Sequence, residues 1–357
     1  MRNYRHRLAL WPIFGRMLHD AGVLEIYDDA AALLAPYADS VPGRSTGAGR
    51  GCGGPALEAA LTDEMGNRVR LKRRRALDAL YRDPPANSNA PATTLPRAIQ
   101  SGGVNLNAVL YTAACIGPHP TALLFHGLPG NEQNIDLAQA MRRSGWNVLA
   151  IHYRGSRGGP GVFSFQHCLE DATAALNWVR NAGGDANSRI DSDRIVLIGH
   201  SMGGFVAAHL SAERPEVWGA VIISSVDLGR SFGSENQEGS EARIDENVGF
   251  GAGLHILAGT SSEALAKEAR AHAERWQLTN YASRLAGRPL LIVTSDDGFA
   301  SDSDALVEAA MAGDAARLTH SHFATDHSYS DCRIGLQKAV LNWLAQLTAL
   351  PSPRPNR

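Results

Sequence analysis

Five nearly uninterrupted apolar runs most constrain what this chain can fold into: TALLFHG (121 to 127), WNVLAIHY (146 to 153), RIVLIGH (194 to 200), AVIISSV (220 to 226) and PLLIVTS (289 to 295). A strand that alternates apolar and polar side chains has one dry face, whereas a run without alternation is dry on both and needs a layer above and below it. Helical patterns fill the intervals. The clearest runs from Phe163 to Asn181, where Leu169, Ala172, Leu176 and Val179 recur at helical spacing. Buried strand alternating with amphipathic helix implies right-handed crossovers and the α/β class, a doubly wound and mostly parallel sheet. VNLNAVLY (104 to 111) does alternate, and reads as an antiparallel strand.

Two regions depart from this rhythm. Residues 1 to 94 carry a Gly-rich stretch (43 to 54), the basic run Arg70, Lys72, Arg73, Arg74, Arg75 and a Pro/Asn/Ala-rich segment, and read as an N-terminal extension and linker, disordered in part. The body is expected over 95 to 350, with a short tail at 351 to 357. Within the body, residues 227 to 286 separate two core strands by far more than the roughly 2 to 6 residues of an ordinary connection. Their polar, Gly-rich first half and helical second half read as a cap inserted over the site.

Composition narrows the partners. The chain has 357 residues, 44% of them hydrophobic, and Lys+Arg 34 against Asp+Glu 36 leaves a formal charge of -2. No overall field draws it to nucleic acid or an anionic membrane, so a small molecule is the expected partner. No run reaches the ~20 apolar residues of a membrane span. Cys52, Cys115, Cys168 and Cys332 are scattered and read as free thiols, without the close pairs of a zinc or redox motif. The opening MRNYRHR is followed by a short apolar run broken by Gly15, Arg16 and His19, which does not make a secretory signal; the cytoplasm is favoured and export left open.

The chemistry sits at Gly199-His200-Ser201-Met202-Gly203, directly after the apolar run 194 to 200 and before the helical FVAAHLSAERP. A serine on a strand-to-helix turn presents an exposed hydroxyl, and glycines two residues to either side let strand and helix close without a Cβ between them. A hydroxyl is a weak nucleophile at neutral pH and needs a base with a group to orient it. Of 13 histidines, His327 has the supporting context: the loop TDHSYSD lies between a strand-like RLTHSHF and the final amphipathic helix. His126 and His200 are read as shaping turns, His152 as ending a strand and His209 as lying in a helix. The orienting acid leaves the run 289 to 295 at Asp297, with Asp296 as the alternative. Ser201, Asp297 and His327 then follow one another in an order that a strand-turn-helix nucleophile allows. FHGLPGNE supplies a second loop, where Leu128 N–H pairs with Met202 N–H as donors for a developing oxyanion, and Pro129 has no N–H to give. His320 and His322 with Asp326 or His327 could imitate a metal site, but neither a metal nor a cofactor is expected.

Taken together, His126-Gly127-Leu128-Pro129-Gly130, Tyr153-Arg154-Gly155-Ser156, the elbow Gly199 to Gly204, the pair Asp296-Asp297 and Asp326-His327-Ser328 resemble the α/β-hydrolase superfamily, especially its branch similar to prolyl-oligopeptidase-like and dipeptidyl-aminopeptidase-like hydrolases and related esterases. The resemblance covers roughly residues 95 to 350. It implies an acyl-enzyme mechanism with Ser201 as nucleophile. The first 95 residues match nothing in these relatives and are too short and strandless for a β-propeller, so a gated-peptidase architecture is not expected. Hydrolysis of small or medium acyl esters is the favoured reading. The alternatives are an amidase or aminopeptidase, for which Glu246, Glu263, Glu268 and Glu274 could supply carboxylates to hold a free amine, and a catalytically silent ligand-binding protein. Acyl length, stereochemistry and oligomeric state are left open by the sequence.

Overall fold

The apolar runs become the middle of one sheet. The computed structural model describes residues 70–182, 188–232, 253–313 and 317–349. The strands are β1 Thr93–Ser101, β2 Val104–Thr112, β3 His119–Phe125, β4 Asn147–Ile151, β5 Ile190–His200, β6 Gly219–Ile223, β7 Leu290–Ser295 and β8 Leu318–Phe323, in the order β1-β2-β4-β3-β5-β6-β7-β8. β1 pairs antiparallel with β2, and β2 antiparallel with β4; from β4 to β8 every pairing is parallel. The expected α/β sheet and its antiparallel margin are thus present. The longer helices are α1 Ile135–Arg143, α2 Phe165–Ala182, α3 Met202–Glu213, α4 Ser262–Ala271, α5 Ala300–Met311 and α6 Arg333–Leu347.

Period-two geometry divides each central strand between two cores. Leu123, Phe125, Leu149, Leu197, Ile222 and Ile292 point into the layer holding α2, α3 and α5. Their neighbours Leu124, Val148, Val196, Ile198, Val221 and Val293 point into the layer holding α1 and α6. Each such side chain, fully removed from water, contributes about 1.5–3 kcal/mol of hydrophobic free energy. This two-sided burial is why the runs lack alternation. No helix among the described residues is long and apolar enough to cross a membrane.

Part of the segment expected to be extension and linker packs on the sheet. A helix over residues 70–78 carries the basic run, and Ala76 and Ala79 nearby are buried. Arg73 donates to Asn342 Oδ1 of α6 at 3.0 Å, and Arg143 of α1 donates to Ala79 O at 2.7 Å, so residues 70–94 belong with the sheet domain. Strand β1, TTLPRAIQS, was also missed. It is an edge strand with only its alternate residues sheltered, and its polar side chains and proline obscure the pattern. Residues 1–69, the stretch 233–252 and the tail beyond 349 lie outside the described residues, with Cys52 in the first and Glu246 in the second; Cys115, Cys168 and Cys332 carry free thiols.

The insertion between β6 and β7 is helical where described. It contains the short helix Leu228–Phe232, a 3-10 turn Leu254–Ile256, α4, a second 3-10 turn Leu278–Tyr281 and the helix Ala282–Leu285. Its attachment is polar as well as apolar. The Glu268 carboxylate accepts from the N–H groups of Phe165 and Gln166 at 2.9 Å each, satisfying orphan donors in the first turn of α2. Asp227 accepts from Leu278 N–H at 2.9 Å and Arg230 N–H at 2.8 Å.

A buried ion pair ties the first strand to the loop after β4. Asp171 of α2, its side chain fully inaccessible, accepts from Arg154 N–H at 2.8 Å, Arg154 Nε at 2.7 Å and the Ser101 hydroxyl at 2.6 Å. Removing the carboxylate would leave the buried guanidinium with only the half-exposed Glu170 as an acidic partner and take away the acceptor of the Ser101 hydroxyl and the Arg154 amide. Asp171→Ala is expected to cost about 3–5 kcal/mol of unfolding free energy in urea titration. A loss below about 1 kcal/mol would show that the node does not hold these elements.

Candidate active site

Ser201 sits where β5 ends and α3 begins, with φ 59 and ψ -124. A non-glycine residue with positive φ is strained, by roughly 1–3 kcal/mol, and here packing enforces it. A Cβ on Gly199 would lie 1.8 Å from Gly203 O, and one on Gly203 would lie 2.2 Å from Phe125 O, so strand β3, strand β5 and α3 meet backbone to backbone. The Ser201 N–H donates to Ile223 O at 2.9 Å, which anchors the turn to β6. The Ser201 hydroxyl does not cap α3. Met202 occupies the first helical position, where an N–H has no partner within its own helix.

The loop after β3 passes directly over this serine. A Cβ on Gly127 would lie 2.8 Å from Ser201 Cβ and 3.3 Å from its Oγ. Leu128 follows, partly buried against the core. His126 Nδ1–H donates to Gly127 O at 2.7 Å, and the His126 ring packs on Tyr153 with centroids 4.7 Å apart. Gly130, at φ 108, keeps clear of the His126 ring, which an added Cβ would meet at 3.0 Å. Arg157 donates to Gly130 O at 2.8 Å, holding the far end of the loop.

The structure brings His327 and Asp297 together. His327 Nδ1–H donates to Asp297 Oδ2 at 2.7 Å, and the Asp297 side chain is 2% exposed. Burial alone would raise the Asp297 pKa. The His327 bond, the Phe299 N–H at 2.9 Å and the Ser224 hydroxyl outweigh it and hold the carboxyl well below the usual range. Asp296 is elsewhere: its side chain is 63% exposed and it accepts from His322 Nε2 at 3.0 Å. Thr294 lies within hydrogen-bonding distance of His320 and His322, and no group of three or more His, Cys, Asp or Glu side chains among the described residues could hold a metal ion.

His200 connects the serine turn to the histidine loop. Its Nε2–H donates to the main-chain oxygen of His327 at 2.7 Å, and the two rings lie 4.7 Å apart between centroids. His327 therefore stands against the residue that precedes Ser201. Among the described residues no hydrogen bond joins the Ser201 hydroxyl to His327, a contact that in ligand-free sites is often long and tightens on binding. An open groove of about 480 Å³ flanks the histidine loop, lined by Asn131, Gln133, Asp136, Ser328, Ser330 and Arg333. Arg333 spans it, donating to Ser328 O at 2.8 Å and to Asn134 Oδ1 at 3.0 Å and pairing with Asp136.

The sequence reading did not single out Ser224, Ser295 or Tyr329. Ser224 lies within 2.9 Å of both Ser295 Oγ and Tyr329 Oη, in the buried space behind Asp297. Only the position of Ser224 just past a strand end, beside two further strand ends, could have pointed to it.

Family models and known proteins match parts of the chain. The family model described as serine aminopeptidase, S33, matches residues 117–230, and the model described as putative esterase matches residues 184–349. An uncharacterized protein of Mycobacterium tuberculosis is 32% identical over 133 residues, 37% of this chain and 46% of that protein. The α/β hydrolase domain-containing protein WAV2 of Arabidopsis thaliana is 33% identical over 129 residues, 35% of this chain and 40% of that protein. The chain thus spans less than half the length of these curated relatives. The crystal structure of EstE1, a thermophilic carboxylesterase cloned from a metagenomic library, superposes with TM-score 0.54 at 20% identity, covering 81% of this chain and 97% of that one. The fold is that of the α/β hydrolases, and the matching models and the similar structure are those of esterases and of a serine aminopeptidase family.

Two histidines of the site are held neutral. Burial lowers His126 from 6.5 to about 4, and burial, followed by the charge of His327, lowers His200 to about 3. Below 6.5 the unfolded chain binds protons that the folded chain refuses, so their contribution to stability is complete above that pH and is lost as pH falls toward 4 and 3. The denaturant midpoint is expected to fall on acidification below pH 6.5, each histidine adding up to about 1.4 kcal/mol per pH unit to the slope. His126→Gln should flatten that slope; an unchanged slope would show that His126 takes up its proton in the folded state.

Proposed function

We propose that the chain is a serine hydrolase that cleaves carboxylic esters of small or medium acyl chains through an acyl-enzyme intermediate. The observation that carries this reading is Ser201 on its strained turn, faced by the Gly127 loop and flanked, through His200, by the His327–Asp297 pair. His327 Nε2 takes the Ser201 proton as Oγ attacks the ester carbon, and Asp297 stabilises the imidazolium through Nδ1–H. The carbonyl oxygen becomes an oxyanion, to which the N–H groups of Leu128 and Met202 donate. The imidazolium returns its proton to the departing alcohol. Water repeats the sequence on the acyl-serine and releases the acid.

An aminopeptidase reading has one observation in its favour, the match to the serine aminopeptidase model over residues 117–230. A free amine would need carboxylates beside the site. Glu268 is engaged with the first turn of α2, and Glu263 and Glu274 lie on the surface, so the described part of the insertion offers little support. The esterase model and the carboxylesterase likeness of the fold favour an oxygen ester as substrate.

A fluorophosphonate probe is expected to label Ser201, and Ser201→Ala to abolish labelling and lower kcat/KM on p-nitrophenyl esters by roughly ten-thousandfold. Among p-nitrophenyl acetate, butyrate and octanoate the shorter esters should turn over fastest. Faster cleavage of aminoacyl p-nitroanilides would reject the ester assignment, and labelling that survives the substitution would reject Ser201 as nucleophile.

A further inference from the structure

Behind the carboxylate of Asp297 lies a set of three hydroxyls drawn from three separate elements. Ser224 follows β6, Ser295 ends β7 and Tyr329 stands two residues past His327 in the histidine loop. All three are buried, at 1%, 0% and 0% exposure. Ser224 Oγ lies 2.9 Å from Ser295 Oγ and 2.9 Å from Tyr329 Oη. Ser224 and Tyr329 both hold positive φ, 41 and 56, so the backbone is bent at both residues that bring these oxygens together.

The direction of the protons follows from the charge beside them. The Ser224 hydroxyl is among the groups that hold the Asp297 pKa down, and because an ionised carboxylate accepts and cannot donate, Ser224 serves it with its proton turned toward Asp297. The Ser224 oxygen is then left with its lone pairs, and Tyr329 O–H and Ser295 O–H can both donate to it. Burial pushes the Tyr329 pKa up to about 12, which keeps its proton in place as a donor. The hydroxyl dipoles therefore align toward one negative charge, in a dry region where each polarises the next.

We propose that Ser224 and Tyr329, with Ser295 behind them, form a hydroxyl relay that positions and polarises Asp297 and so sets the orientation and basicity of His327. Ser224 and Tyr329 are positioning residues: they touch the acid, or its donor, and not the substrate. This rests on the reading of Ser201, His327 and Asp297 as the catalytic set. Without the relay the carboxylate turns in its site, and the imidazole loses its fixed tautomer. Substrate binding is not engaged by any of the three hydroxyls.

The test compares Ser224→Ala and Tyr329→Phe with the full-length parent on p-nitrophenyl butyrate from pH 5 to 9. Each variant is expected to lower kcat by about tenfold while leaving KM within about twofold. With fewer dipoles offsetting the carboxylate charge, the acid limb of the kcat/KM profile should move to higher pH by about half a unit, and the low-field NMR signal of the His327 Nδ1 proton should shift. If Ser224→Ala does not fold, Tyr329→Phe, which removes one oxygen and keeps the ring, decides alone. Folded variants with unchanged kcat, pH limb and proton signal would overturn the relay, as would a loss confined to KM. Ser201→Ala assayed alongside separates the two readings: if it retains turnover the proposed function fails, and if it abolishes turnover while Tyr329→Phe has no effect only the relay fails.

Discussion

The backbone turn at Ser201 is the constraint on which the rest of the molecule depends. It places a serine at positive φ between the central strand β5 and helix α3, and such strain persists only where the surroundings over-determine it. Here they do so through main-chain contact, since Gly199 faces Gly203 and Gly203 faces Phe125 at distances that leave no room for a Cβ. The sheet order serves the same end. With β3 on one side of β5 and β6 on the other, the serine turn is bordered by the loop after β3 and by Ile223, whose carbonyl receives the Ser201 amide. Two-sided burial of these strands supplies the free energy that keeps the turn from relaxing.

Around that turn the protein arranges polar groups in a dry rim, and it does so by fixing donors in place rather than by gathering charge. His200 and His126 are neutral and each gives one N–H to a main-chain oxygen. Asp297 is the carboxylate that accepts from the His327 imidazole, and Phe299 N–H and Ser224 also hold its charge. His126 Nε2 and His200 Nδ1 are buried without a hydrogen-bond partner, which fits rings retained for shape and for the bond their other nitrogen makes.

Much of this was legible in the sequence, for physical reasons that also mark where the reading stopped. Strands buried on both faces announce themselves as continuous apolar runs, and β3 to β7 lie within a few residues of the runs that signalled them. The serine turn is a local motif, and so is its placement between strand and helix. The edge strand β1 was not legible, because half its side chains face water. The helix over 70–78 was read as a linker since its docking face is only alanine-sized, with Ala76 and Ala79 covered by α1 and α6. Between Asp296 and Asp297 the spacing could only state a preference; the difference lies in which carboxylate the chain turns inward after β7, and that is set by Phe299 N–H and Ser224, contacts no local pattern encodes. Ser224, Ser295 and Tyr329 were invisible for the same reason, since their meeting is a product of strand order.

Glu268 carries a mechanical consequence. Its carboxylate is the clasp between the insertion and the sheet domain, gripping the exposed amides where α2 begins. Close by, the Phe163 N–H donates to Ala258 O at 2.9 Å. Any swing of α4 away from the domain must unfasten both at once, leaving two amides to find water and the opening turn of α2 to fray. This flank of the insertion is therefore fastened to the sheet domain at two points that can only open together.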